Sequence, residues 1–487
     1  MFRPVDSKVS FPQMEERVLQ LWKQRDVFRK SIEQREGAPQ FILYEGPPTA
    51  NGTPGIHHVL ARVFKDIIPR YKTMQGFQAH RKGGWDTHGL PVELEIEREL
   101  GLASKRDIEE YGIERFNQKC RESVFRYVQD WEAVTERIGF WIDMDHAYST
   151  YTNDYIESGW WIIKQLWDKG LVYLGYKTTP HCPRCGTSLS SHEVALGYDE
   201  NTVDPSIYVK FKLAPPSAVL AREPESMGLL HTVLFEEDVP SYVLAWTTTP
   251  WTLPGNIALA VALEASYVVV ERTEGPPSTS LPTGQAGSGR AGKERLVLAQ
   301  ALVEQALKGD EYRVVASVQG SDLVGLRYEP LYSPPEFGFP MMRFPREDEA
   351  DGGAELLPYE HPQGEPLTYP VIGGEFVSME DGTGVVHIAP AFGEEDFEIG
   401  KEEGLFFVQH VDLKGQMAPC PLPFGGKFVK DADPLVIQEL QGRGLMYRSG
   451  TITHTYPFCW RCDTPLLYYV KTSWYIRTTA LKQQLID

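Results

Sequence analysis

Two cysteine pairs constrain this chain more than any other feature. They are Cys182-Pro-Arg-Cys185 and Cys459-Trp-Arg-Cys462, with roughly 270 residues between them. Each pair can present two thiolates from one tight turn, and two such turns complete a tetrahedral four-cysteine zinc site. The similar interiors, Pro or Trp and then Arg, favour one shared metal over two separate redox or structural turns. One ion holding both pairs means that the chain leaves a compact region, makes a long excursion and comes back. The other cysteines do not extend the set. Cys120 shares a helical face with Phe116, Val124, Tyr127 and Trp131, a core position, and Cys420 has no partner in view. Six cysteines in 487 residues are too few for a disulfide scaffold.

The excursion, from about residue 200 to 404, has its own character. Short runs rich in Val, Ile, Tyr and Thr, such as Ser206–Lys212, Ser241–Trp246 and Tyr267–Glu271, alternate with Pro/Gly turns. That pattern predicts a β-rich domain. Within it, Thr273–Gly292 is low-complexity Gly/Ser/Pro/Thr with no role of its own. Two blocks could carry chemistry. In Trp246-Thr-Thr-Thr-Pro-Trp-Thr-Leu-Pro-Gly-Asn256, Thr247, Thr248 and Thr249 put three hydroxyls at a strand end, able to donate and accept around a sugar or ester. In Gly382–Asp396 a strand ends in His387, and Asp396 follows a turn that opens a helix. Each also has a bland reading, since Thr-rich strands are commonplace and a lone His among apolar residues is more often a satisfied core group.

Near the N-terminus the order is strand, loop, helix. Phe41-Ile-Leu-Tyr44 reads as a buried strand. The loop Gly46-Pro-Pro-Thr-Ala-Asn-Gly-Thr-Pro-Gly-Ile-His-His58 precedes an apolar-periodic run to Asp66. Unpaired N–H groups and the positive end of a helix dipole then flank the loop, a natural seat for phosphate. His57 and His58 add donors there. Neither the Walker nor the dinucleotide glycine pattern is present, and a plain strand-to-helix turn is the alternative.

Composition excludes more than it selects. With 42% apolar and 24% charged residues the chain is an ordinary globular one of two or three domains. No apolar run approaches the roughly 18 residues of a membrane helix, and no signal peptide opens it, so cytoplasm and no membrane partner are expected. Met14, Val18, Leu21 and Trp22 recur at helical spacing after Phe11-Pro12. The net charge of −19 argues, taken alone, against a nucleic-acid partner, although part of the acid lies in a solvated-loop stretch, Arg346–Asp351.

The loop resembles the first signature of class I aminoacyl-tRNA synthetases, where His-x-Gly-His opens a helix. Gly83-Gly-Trp-Asp-Thr-His-Gly-Leu-Pro-Val-Glu93 and Pro47–Gly52 look like the isoleucyl branch, with further blocks as far as Trp474. One departure stands out: Gly55-Ile-His57-His58 exchanges the first His and the Gly. The resemblance implies an α/β fold, a Rossmann-like nucleotide-binding parallel sheet interrupted by a β-rich editing domain, with a zinc knuckle. It divides the chain into a helical segment (1–40), the first catalytic part (41–199), the editing insertion (200–404) and a return segment (405–487).

The implied activity is isoleucine–tRNA ligation with hydrolytic editing of Val-tRNA(Ile), by a cytoplasmic monomer that uses ATP with Mg²⁺ and carries structural Zn²⁺. ATP would meet Gly46, Pro48, Asn51, Gly55, His57 and His58, with the two histidines stabilising the reacting α-phosphate. Pro47 would wall the side-chain pocket and Asp86 would pair with the α-ammonium. In editing, Thr247, Thr248 and Thr249 would line the pocket, His387 would bind the terminal adenosine and Asp396 the amino group. No Lys-Met-Ser-Lys-Ser-like loop or anticodon-binding region occurs, so an N-terminal portion unable to form adenylate by itself is expected. A free-standing editing deacylase and a zinc-stabilised RNA binder are the other readings.

Overall fold

The computed structural model describes residues 8–49, 51–102, 105–215, 228–236, 238–273, 292–344, 356–362 and 364–487. Ala50 of the signature loop, the acidic stretch Arg346–Asp351 and all but the ends of the low-complexity stretch lie outside the described residues. The chain divides into two compact units after Leu171.

The first unit is built on a three-stranded parallel sheet, β1 (Gln40–Tyr44), β2 (Gln78–Trp85) and β3 (Asp143–Ser149), in that order. Parallel neighbours need long crossovers. Helix Ile56–Met74 supplies the first, and helices Leu90–Leu100, Lys105–Tyr111 and Ile113–Arg137 the second. Gly83 and Gly84 permit close packing of β3 on β2. A Cβ on Gly84 would enter the Tyr148 ring, and one on Gly83 would lie 2.7 Å from the Met144 sulfur.

Two apolar segments are less covered than their sequence suggests. The run Phe41–Tyr44 forms β1 as a strand but not as a buried one, with Ile42 56% and Tyr44 63% exposed. It is an edge strand paired only with β2 among the described residues, and a short apolar run does not reveal how many of its faces are covered. Helix Phe11–Arg25 forms as predicted yet buries none of its residues; its Trp22 meets Trp141 edge-on at 5.1 Å. The Cys120 face behaves as expected, with Phe116, Val124 and Trp131 buried and Cys120 half-buried.

The second unit holds the expected strands. Its six-stranded sheet runs Arg313–Gln319, Ser266–Thr273, Lys293–Ala299, Ser241–Thr247, Tyr198–Lys212, Met446–Pro457. A four-stranded sheet runs Arg327–Tyr328, Tyr369–Gly373, Ala258–Val261, Val385–Ile388. All four residues of Ala258–Val261 are buried, as a strand covered on both faces requires. One apolar cluster joins these sheets through residues such as Phe211, Val243, Leu259, Val297 and Phe424.

The excursion returns, as the cysteine spacing demands. Met446–Pro457 pairs antiparallel with Tyr198–Lys212, and Leu467–Ile476 with Val172–Cys182. Outgoing and incoming chain are thereby zipped twice, which brings Cys182 and Cys459 to neighbouring strand ends. Among the described residues no helix is long and apolar enough to cross a membrane.

Candidate functional site

The two knuckles meet. Ligand atoms of Cys182, Cys185, Cys459 and Cys462 all lie within 4.8 Å of one another. Cys462 Sγ is 3.5 Å from both Cys182 Sγ and Cys185 Sγ. Four thiolates at about 2.3 Å from one zinc would sit roughly 3.8 Å apart, so the donor set fits that ion. The two turns are built alike. Gly186 N–H donates to Cys182 C=O at 2.8 Å, and Asp463 N–H to Cys459 C=O at 2.8 Å. Each turn ends in the left-handed region, at Gly186 (φ 65°) and Asp463 (φ 56°), where glycine is free of strain and Asp is tolerated. Cys182, Cys185 and Cys459 are buried, a setting in which unligated thiolates would be costly. Cys120 and Cys420 stand apart, each half-buried with its thiol pushed up by burial.

The two blocks of the excursion also meet. Thr247 Oγ1 lies 3.3 Å from Thr249 Oγ1, which lies 3.3 Å from Thr252 Oγ1, and Thr252 Oγ1 is 3.1 Å from His387 Nε2. A line of three hydroxyls therefore runs from the end of one strand to the histidine of another. Thr248 is half-buried and takes no part in these bonds. His387 is 8% exposed, its Nδ1 has no partner among the described residues, and burial lowers its pKa to about 4. It is a neutral imidazole at pH 7. Asp396, on the first turn of helix Glu394–Glu402, accepts the Ala389 N–H on Oδ2 at 2.8 Å. That bond ties it to the end of the His387 strand. Burial, assisted by Glu395, raises its carboxyl to about 6 against the pull of that N–H.

In the first unit the signature loop is pinned at three points. Lys65 Nζ donates to Gly46 C=O at 2.9 Å, Asp86 N–H to Pro48 C=O at 3.0 Å, and Trp131 Nε1 to Gly52 C=O at 2.9 Å. Lys65 and Arg62 also reach the buried carboxylate of Glu45 at 3.2 and 3.3 Å. Pro47 is half-buried, and Asn51 Nδ2 reaches Pro91 C=O at 3.4 Å. The Asp86 carboxylate accepts from Thr49 Oγ1 at 3.2 Å and Thr150 Oγ1 at 3.5 Å. Among the described residues no cationic side chain pairs with it. Such a carboxylate, held by hydroxyls alone, suits an incoming ammonium group.

Gly55 is the extended N-cap of helix Ile56–Met74. Its N–H donates to His58 Nδ1 at 2.9 Å, and the His58 ring stands edge-on to Trp131 at 4.6 Å. Burial, then His57 and Arg62, lowers the His58 pKa. The His57 ring is exposed and 3.8 Å from that of His58.

The model of the family tRNA synthetases class I (I, L, M and V) matches residues 17–487. The chain belongs to that family. Among curated synthetases it is 54% identical over 486 residues to the isoleucine–tRNA ligase of Dehalococcoides mccartyi strain 195, covering 100% of this chain and 44% of the relative. It is 45% identical to that of Thermus thermophilus and 43% to that of Clostridium novyi, in both cases over 100% of this chain and 40% of the relative. The chain thus spans about two fifths of the length of these ligases. A crystal structure of GlLeuRS-CP1 aligns with 50% of the chain and 99% of its own length at 14% identity and TM-score 0.34.

Sequence reasoning missed one residue in plain view. Thr252 follows the last of the three consecutive threonines at an i, i+3 spacing, and that relation was the available signal. Its partner His387 is 135 positions away, which no local pattern encodes.

Proposed function

We propose that this chain is the N-terminal part of an isoleucine–tRNA ligase that activates isoleucine with ATP, transfers it to tRNA(Ile) and hydrolyses Val-tRNA(Ile). The match of this whole chain to two fifths of curated isoleucine–tRNA ligases carries this reading. In activation, the isoleucine carboxylate attacks the α-phosphorus of ATP and the bond to pyrophosphate breaks. Asp86 holds the α-ammonium and Pro47 forms one wall of the side-chain pocket. Gly46, Pro48, Asn51 and Gly55 lie along the ATP, and His57 and His58 donate to the α-phosphate as charge develops. This is stabilisation by preorganised donors. Mg²⁺ would arrive with ATP and neutralise its phosphates. Zn²⁺ would join the four cysteines as a structural ion, and the enzyme is a cytoplasmic monomer.

Editing has a physical cause. Valine lacks one methylene of isoleucine, and an apolar pocket rejects it by only about 1–3 kcal/mol, a range drawn partly from isoleucyl enzymes themselves. A second site that hydrolyses the wrong ester closes the gap. His387 receives the terminal adenosine, Asp396 the valyl ammonium, and the hydroxyls of Thr247, Thr248 and Thr249 surround the ester. Water attacks the ester carbonyl, the acyl C–O bond breaks, and the ribose hydroxyl leaves with a proton.

Two measurements test this, both on the enzyme at the full length of its relatives. Asp396→Ala should leave isoleucine-dependent ATP–pyrophosphate exchange intact while Val-tRNA(Ile) accumulates. Normal proofreading by that variant would sink the assignment. Because Asp396 binds an ammonium only when ionised, kcat/KM for deacylation should fall as pH drops through about 6. A flat profile from about pH 7 to about pH 5 would speak against it.

A further inference from the structure

The turn Pro250–Gly255 carries Thr252 and is buried throughout. The peptide groups before and after Trp251 are each held by a side chain from the returning chain. Trp251 N–H donates to Asp433 Oδ1 at 2.9 Å, and Trp251 C=O accepts from His410 Nε2 at 2.8 Å. Asp433, 2% exposed, belongs to helix Val429–Gly442, and His410, wholly buried, follows strand Phe406–Val408. Fit is close here: a Cβ on Gly255 would lie 2.8 Å from His410 Cε1. Phe392 packs edge-on against both Trp251 and His410, at 5.1 and 4.8 Å. Burying a carboxyl and an imidazole to satisfy the two peptide groups flanking one residue is an expensive arrangement. Among the described residues His410 Nδ1 makes no well-aligned hydrogen bond, and apart from the Trp251 carbonyl only the Val408 backbone acts on the ring. What the two groups do fix is the position of the residue before Thr252, whose hydroxyl meets His387.

We propose that Asp433 and His410 are positioning residues of the deacylation site. They clamp the backbone on either side of Trp251 so that Thr249 and Thr252 present their hydroxyls to His387 and the bound ester. This rests on the editing reading above. Burial raises the Asp433 carboxyl to about 7, so a neutral amide, whose oxygen accepts the same N–H, is a mild change at this position.

The test uses the enzyme at the full length of its relatives and single-turnover hydrolysis of Val-tRNA(Ile). Asp433→Ala should slow the hydrolytic step roughly 10- to 100-fold, the scale of a misplacement near 1 Å. KM for Val-tRNA(Ile) and isoleucine-dependent pyrophosphate exchange should hold, and Asp433→Asn should recover most of the rate. If Asp433→Ala does not fold, His410→Phe, which keeps a ring but loses the donor, carries the same test. Wild-type hydrolysis by the variants, equal losses in the Ala and Asn forms, or parallel loss of exchange would overturn the clamp alone. A wild-type enzyme that leaves Val-tRNA(Ile) intact would overturn the editing reading and the clamp with it.

Discussion

Cys459→Ser is expected to strip the chain of zinc and to loosen the segment that returns after the excursion. Structural zinc in small domains contributes on the order of 10 kcal/mol of apparent folding energy, against a total stability of roughly 5–15 kcal/mol. The full amount will not be lost here. The returning strands also pair along Tyr198–Lys212 and Val172–Cys182, and those ladders share the task. The knuckles, however, sit at the ends of the same strands, and Cys459 is wholly buried. Replacing one thiol cuts the donor set from four to three and weakens its hold on an ion, so the ends of those strands should loosen first. Elemental analysis should find one zinc per wild-type chain and less in the variant. Thermal unfolding should shift down, and hydrogen exchange should rise first in Met446–Ile476. Wild-type protein without zinc, or a variant with unchanged zinc and Tm, would refute the site.

That contact between distant cysteines was legible because metal-ligating turns carry their own local signature. The runs Ser206–Lys212, Ser241–Trp246 and Tyr267–Glu271 were legible as strands for a similar reason, since β-branched runs between Pro/Gly turns are a local pattern, whereas the polar first half of Tyr198–Lys212 was not. The helix at His57 and the helix at Asp396 followed from loop chemistry. What stayed hidden is non-local. Nothing near Thr252 announces His387, and nothing in the amphipathic pattern of Val429–Gly442 singles out Asp433 as the acceptor of a peptide N–H 182 positions away. The exposure of Ile42 and Tyr44 was hidden too, because an apolar strand records its composition and not its neighbours. The family resemblance supplied the site roles that periodicity could not.

The exchanged signature yields the second large effect. His58 is committed to the helix end: its Nδ1 accepts the Gly55 N–H, so only Nε2–H remains to meet a phosphate. With burial, His57 and Arg62 all lowering its pKa, it does so as a neutral donor. On the activation reading proposed above, the second side-chain donor is His57, whose ring is exposed. The exchange is sterically self-consistent. A Cβ on Gly55 would lie 2.8 Å from His57 Cε1, so the glycine vacates the space beside which the His57 ring lies. His57→Ala in the enzyme at the full length of its relatives should therefore lose about 100- to 1,000-fold in isoleucine-dependent pyrophosphate exchange, the effect of deleting one donor to a charge-developing transition state, about 2.7–4 kcal/mol. Gly55→His alone should push the exposed His57 ring aside and so lose activity. Combined with His57→Gly, which restores the His-x-Gly-His order, it should regain most of it. A His57→Ala enzyme within about threefold of wild type, far below a donor's worth, would show that His57 is a bystander. A double variant no better than Gly55→His would show that the loop backbone, and not the exchange of side chains, distinguishes this site.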